Sequence, residues 1–133
     1  MGAYVADRVI RLMIQHDVAV NNAKVLVLGL TFKEDCPDLR NSRVIDVVSE
    51  FTDLGMDVDV FDPWADPEQA KSAYKIEPIS QPENNTYDAI VLTVAHKEFK
   101  TLGVSEIRKW GKASHVLFDT KGTLPGDAVD GRL

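Results

Sequence analysis

With 133 residues, of which 44% are hydrophobic and 27% charged, the chain is sized for one globular domain with a real core. A formal net charge of -6 argues against a nucleic-acid partner, and no apolar run approaches the roughly 20 residues needed to cross a bilayer. The single cysteine, Cys36, rules out an internal disulfide, and Asp7 and Arg8 interrupt any apolar leader, so a reducing cytoplasm is the expected setting.

Residues 1–18 carry Val5, Val9, Leu12 and Met13 at helical spacing, with Ile10 and Ile14 adding a second apolar side. Such a helix wants partners on more than one face. Its start without a capping residue predicts the end of a longer helix, or packing against another chain, and hence a homo-oligomer. Residues 24–30, KVLVLGL, read as a strand buried on both faces. Asn41 or Ser42 is expected to cap a helix over 43–55, with Val44, Val47, Val48 and Phe51 on one face and Gly55 at its close. Residues 56–63 form a second strand. Asp66, Pro67 and Gln69 open a short helix running to about Tyr74.

Residues 75–79 read as a short third strand, 81–88 as a polar loop, and 89–95 as a fully apolar fourth strand. A helix over 105–111 and a strand over 115–120 follow, and the Gly/Pro-rich tail from Lys121 reads as irregular. The alternation predicts an α/β, Rossmann-like three-layer sandwich with a mostly parallel sheet of five or six strands.

In open sheets of this kind ligands bind at the carboxyl ends of the strands, near the switch point. Those ends are the 29–41 loop, FDPWAD (61–66), VAHKEF (94–99) and FDTKG (118–122). A dinucleotide cradle would place several glycines in the first loop. Here Gly29 stands alone, and Lys33, Asp35, Asp38 and Arg40 fill the loop. A lysine and an arginine on one edge suit phosphate oxygens, with the aspartates orienting them or capping the loop. The alternative is that these charges simply pair with one another across a solvated surface.

The stretch GLTFKEDCPDLRNSRVIDVV followed by VDVFDPWAD resembles the C-terminal domain of the UDP-glucose/GDP-mannose dehydrogenase family. The residues carrying the likeness are Gly29, Phe32, Lys33, Asp38, Arg40, Ser42, Asp62 and Pro63. The KEDCPDLRN version is most similar to the branch that oxidises UDP-N-acetylhexosamines for capsule and O-antigen synthesis. MGAYVADRVI resembles the end of that family's central helix, and HVLFDTKG its last strand. The likeness implies two segments: residues 1–20 as the end of a central dimerisation helix, and 21–133 as a UDP-binding C-terminal domain. It implies partners as well, namely a UDP-sugar substrate and the N-terminal and central domains of a longer enzyme. NAD is expected to be bound mainly by the N-terminal domain. Neither the family's catalytic cysteine segment nor its NAD glycine fingerprint occurs in these residues, so the chain alone is expected to be inactive.

Carried over residue by residue, the resemblance makes Lys33 and Lys121 substrate-binding, and makes Arg40 reach toward NAD. Asp38 holds Arg40, and Asp62 fixes the loops by hydrogen bonds. It gives Cys36 a packing role at a variable position and no catalytic one. Trp64 packs or stacks a base, and His96 starts a helix or lies in a loop. No metal site is expected. The alternative to an enzyme part is a free-standing nucleotide-binding module without chemistry of its own.

Overall fold

A computed structural model of the chain describes residues 2–133. Helix α1 (Gly2–Gln15) leads into strand β1 (Lys24–Leu28), then α2 (Val44–Asp53), β2 (Asp57–Phe61) and α3 (Pro67–Tyr74). Strand β3 (Tyr87–Leu92), α4 (Lys97–Arg108), β4 (Gly111–Asp119) and the two-residue β5 (Gly131–Arg132) complete it. All five strands are parallel, in the order β2-β1-β3-β4-β5. The chain leaves β1 for β2 on one side and returns to β3 on the other. The switch point therefore lies between β1 and β3, outside their carboxyl ends.

Strand side chains alternate between two cores, as a period of two requires. Val25, Val27, Ala89, Val91, Val116 and Phe118 face a cluster with Val5, Val9 and Met13 of α1 and Val44, Val47 and Phe51 of α2. Leu26, Leu28, Ile90, Leu92 and Leu117 face the other way, against Phe99 and Ile107 of α4 and Trp110. Burial on both faces accounts for the continuous apolar runs in β1 and β3. Truncating a fully buried ring such as Phe51 to alanine would cost about 3–5 kcal/mol.

Helix α1 lays one stripe on α2 and leaves Tyr4 and Ile14 exposed on the opposite side. Helix α2 closes at Gly55 (φ 84°), where the Gly55 and Met56 N–H groups return to the Thr52 and Phe51 carbonyls. Helix α3 is capped by Asp66, which accepts from the Glu68 N–H at 2.9 Å, with Pro67 in the first turn.

Three local expectations are corrected. Residues 75–79 form no strand: they run as an irregular segment fixed by the Ile79 N–H to the Val60 carbonyl (2.8 Å), with Pro78 interrupting any ladder. The last long helix begins at Lys97, with Gly103 (φ 77°) breaking its geometry midway; that glycine hides its first half from a periodicity argument. The tail contributes β5, because the Asp130 carboxylate accepts the Leu117 N–H at 2.7 Å and docks the segment beside β4.

Candidate functional site: the carboxyl edge of the sheet

Where β1 and β3 part, their backbones are drawn together. Thr93 donates its hydroxyl to the Gly29 carbonyl at 2.7 Å, and its N–H to the Leu28 carbonyl at 2.9 Å. Gly29 sits at φ 108°, and a Cβ there would lie 2.5 Å from Val94 Cβ and 2.8 Å from Val94 N. The lone glycine of this loop thus serves strand-to-strand approach. A crevice of about 150 Å³ opens beside it, lined by Thr31, Phe32, Arg43, Thr93, Val94 and Lys121 among others. That volume is below the roughly 300 Å³ of small-molecule pockets, so only part of a nucleotide-sized ligand fits inside.

Beneath the loops lies a buried polar centre. Asp62 Oδ2 accepts from the Leu30 N–H (2.6 Å), the Thr31 N–H (3.0 Å) and His96 Nε2 (3.0 Å), while Oδ1 accepts from the Trp64 N–H (2.7 Å). Burial pushes the Asp62 carboxyl up, but the hydrogen bonds from His96, Leu30 and Thr31 outweigh it and hold the group below the ordinary carboxylate value. His96 Nδ1 accepts the Asp35 N–H at 2.9 Å, which leaves the ring proton on Nε2, aimed at Asp62. Sequence reasoning placed His96 at a helix start or in a loop. It does precede α4, and it is also fully buried at the meeting point of three strand ends. Asp62 and His96 each follow a strand that flanks β1, a placement set by strand order and not by any local pattern.

The cations of the edge divide into two groups. Lys33, Arg43 and Lys121 are exposed and make no ion pair among the described residues. Lys121 and Arg43 line the crevice, whereas Lys33, next in sequence to the lining residue Phe32, is exposed and is not among the lining side chains. Arg43 carried no signal of its own, since it reads as an ordinary first residue of α2. Arg40 is different: its Nε and Nη2 each lie 3.1 Å from an Asp38 carboxylate oxygen, and its N–H donates to Asp38 Oδ1 at 2.8 Å. The side-chain hydrogen bond from Arg40 holds the Asp38 carboxyl below its usual value, and the same bond raises the guanidinium.

Asp38 and Arg40 line a separate groove of about 680 Å³, between their loop and α3, together with half-buried Cys36, Gln69 and Tyr74. The structure thus brings Lys121 into the crevice and places Arg40 in another groove. Trp64 has His96 stacked on it at 5.9 Å and 22°, Lys97 Nζ at 5.4 Å from its centroid, and Glu98 bonded to its Nε1. Its ring is packed, not offered to a base.

A dinucleotide cradle does not fit these residues. Gly29 is committed to Val94, and α2 starts at Val44 with Arg43 before it, so no second glycine admits a pyrophosphate. Ser42, expected as a cap, donates its hydroxyl to the Leu30 carbonyl at 2.6 Å and accepts the Val44 N–H only at 3.3 Å. No group of three or more His, Cys, Asp or Glu that could hold a metal occurs among the described residues, and none of the described helices is long and apolar enough to cross a membrane.

Fold and edge together define a doubly wound nucleotide-type domain whose unpaired cations suit a phosphorylated ligand. Residues 26–126 match the family described as the UDP-glucose/GDP-mannose dehydrogenase family, UDP binding domain, and the chain belongs to that family. It is 50% identical over 133 residues to a UDP-N-acetyl-D-glucosamine 6-dehydrogenase of Pseudomonas aeruginosa, covering 100% of this chain and 32% of the relative. A protein of the same description from Salmonella typhi is 47% identical, again over 100% of this chain and 31% of the relative. Protein CapL of Staphylococcus aureus is 35% identical, over 98% of this chain and 30% of the relative.

The chain therefore spans about a third of the length of the curated relatives it matches. Among solved structures, a UDP-D-ManNAc dehydrogenase from Pyrococcus horikoshii superposes with a TM-score of 0.76 at 22% identity, covering 93% of this chain and 28% of that one. The UDP-N-acetyl-mannosamine dehydrogenase Cap5O from Staphylococcus aureus does so at 0.67 and 27% identity, covering 92% and 27%.

Proposed function

We propose that this chain holds the UDP moiety of a UDP-N-acetylhexosamine at the carboxyl edge of β1, β3 and β4, as the nucleotide-holding part of an NAD-dependent 6-dehydrogenase of capsule or O-antigen synthesis. The observation that carries this reading is the two unpaired cations, Arg43 and Lys121, that line the switch-point crevice of a domain of this family, with unpaired Lys33 exposed beside the lining residue Phe32. Lys33 and Lys121 are assigned to the diphosphate, and Arg43 joins them as a planar donor. The crevice admits only part of the ligand, so the sugar projects outward, toward the part of the longer relatives that lies outside the matched third.

The chemistry assigned to the whole enzyme is oxidation of a sugar alcohol to a carboxylate, with NAD as hydride acceptor. These residues contribute to it by fixing the diphosphate, which orients the distant carbon. Arg40, exposed and held rigid by Asp38, is assigned to contact NAD carried by another domain, from the second groove. Residues 1–20 are assigned to the end of a dimerisation helix, with Tyr4 and Ile14 on the side left for a partner. A reducing cytoplasm suits the lone unpaired thiol. Titrating UDP into the chain while following NADH absorbance with UDP-N-acetylglucosamine tests both halves: UDP binds, and no NADH forms.

A further inference from the structure

We propose that His96 is a positioning residue for Lys33, its two ring nitrogens holding the two ends of the 31–35 turn that presents the lysine to the diphosphate; the proposal rests on the UDP-binding reading above. On one side Nε2 lies 3.1 Å from Thr31 Oγ1, and that hydroxyl donates onward to the Lys33 carbonyl at 3.1 Å. The same Nε2 is anchored to Asp62 at 3.0 Å. On the other side Nδ1 takes the Asp35 N–H at 2.9 Å, while Asp35 Oδ1 accepts the Lys97 N–H at 2.7 Å.

Asp35 stands at φ 53°, a left-handed conformation that a non-glycine residue keeps only when its surroundings insist on it. The imidazole itself has no exposed surface, is stacked on Trp64 and is flanked by Phe99 at a centroid distance of 5.8 Å. It touches no ligand position, so it acts through the turn.

Packing alone would be served by an apolar ring at 96, since Trp64 and Phe99 already wall the site. A buried polar ring costs free energy unless both nitrogens are paired. What it adds here is a donor and an acceptor pointing in different directions. The donor meets the floor, at Asp62 and Thr31, and the acceptor meets the far end of the turn, at Asp35. Lys33 lies midway, exposed and without an ion pair among the described residues.

The two arms are separable by substitution. In His96→Gln the longer amide reaches the Nε2 position and keeps the bonds to Asp62 and Thr31, but leaves the Asp35 N–H without an acceptor. In His96→Asn the shorter carbonyl stands where Nδ1 was and keeps Asp35, but Asp62 loses a donor. The expected result is a crossover. His96→Gln keeps the thermal midpoint near that of the unsubstituted chain, its UDP dissociation constant rises about tenfold, and amide exchange quickens at Asp35. His96→Asn lowers the midpoint but holds UDP within about threefold. If affinity in both variants merely follows the midpoint, or if His96→Gln binds UDP unchanged, the residue is structural only and the proposal is overturned. If the unsubstituted chain takes up no UDP, the functional reading fails first and the positioning role falls with it.

Discussion

Replacing Asp62 by alanine removes the one acceptor on which four donors converge. Leu30 and Thr31 lose the acceptor of a buried N–H, Trp64 loses that of a half-buried one, and the His96 Nε2 proton retains only Thr31 Oγ1. A buried donor left unpaired costs about 1–3 kcal/mol, so the two fully buried backbone groups alone bring the loss to about 4 kcal/mol. A domain of this size holds about 5–15 kcal/mol in all, so Asp62→Ala sits near the edge of folding. Asparagine can turn its carbonyl toward Leu30, Thr31 and His96 and set its amide against the Trp64 N–H, which limits the loss to about 2 kcal/mol.

Urea unfolding at neutral pH, followed by circular dichroism, measures both. The pH dependence adds a sign. Because the folded carboxyl titrates below its ordinary value, its contribution is present above about pH 4 and is lost as pH falls through the depressed value. The gap between the unsubstituted chain and Asp62→Asn should therefore close in acid. An Asp62→Ala variant within about 1 kcal/mol of the parent at neutral pH would refute the reasoning.

Gly29→Ala forces a Cβ to within 2.5 Å of Val94 at φ 108°, and a loss of at least about 2 kcal/mol in the same unfolding assay is expected. Lys33→Ala and Lys121→Ala should each weaken UDP about fivefold by calorimetry, increasingly so at low salt, with the thermal midpoint unmoved because neither lysine is packed or paired. Arg40→Ala should leave the thermal midpoint unmoved, because its pair with Asp38 is solvent-exposed, and should leave UDP affinity unchanged, because it lines the other groove.

Much of the scaffold was legible because its signals are local. Continuous apolar runs marked β1 and β3, the Asp66–Pro67 pair marked α3, and Gly55 marked the end of α2. The failures have local causes too. Residues 75–79 have an apolar alternation, but the proline at 78 denies the ladder. Gly103 splits α4 into two pieces too short for a clear helical period. In the edge itself, the Asp38–Arg40 pairing is a two-residue matter and could be anticipated. The Asp62–His96 centre joins residues 34 positions apart and depends on strand order, which periodicity does not encode. Arg43 is a site candidate only because the β1–β3 crevice opens beside the first turn of α2.

The most direct measurement is a UDP titration of the isotope-labelled chain, followed by amide chemical shifts. Progressive shifts centred on Thr31–Lys33, Thr93–Val94 and Thr120–Lys121 are predicted. A spectrum that stays still at saturating UDP, or one that moves only around Cys36–Arg40 and Gln69–Tyr74, would contradict the account.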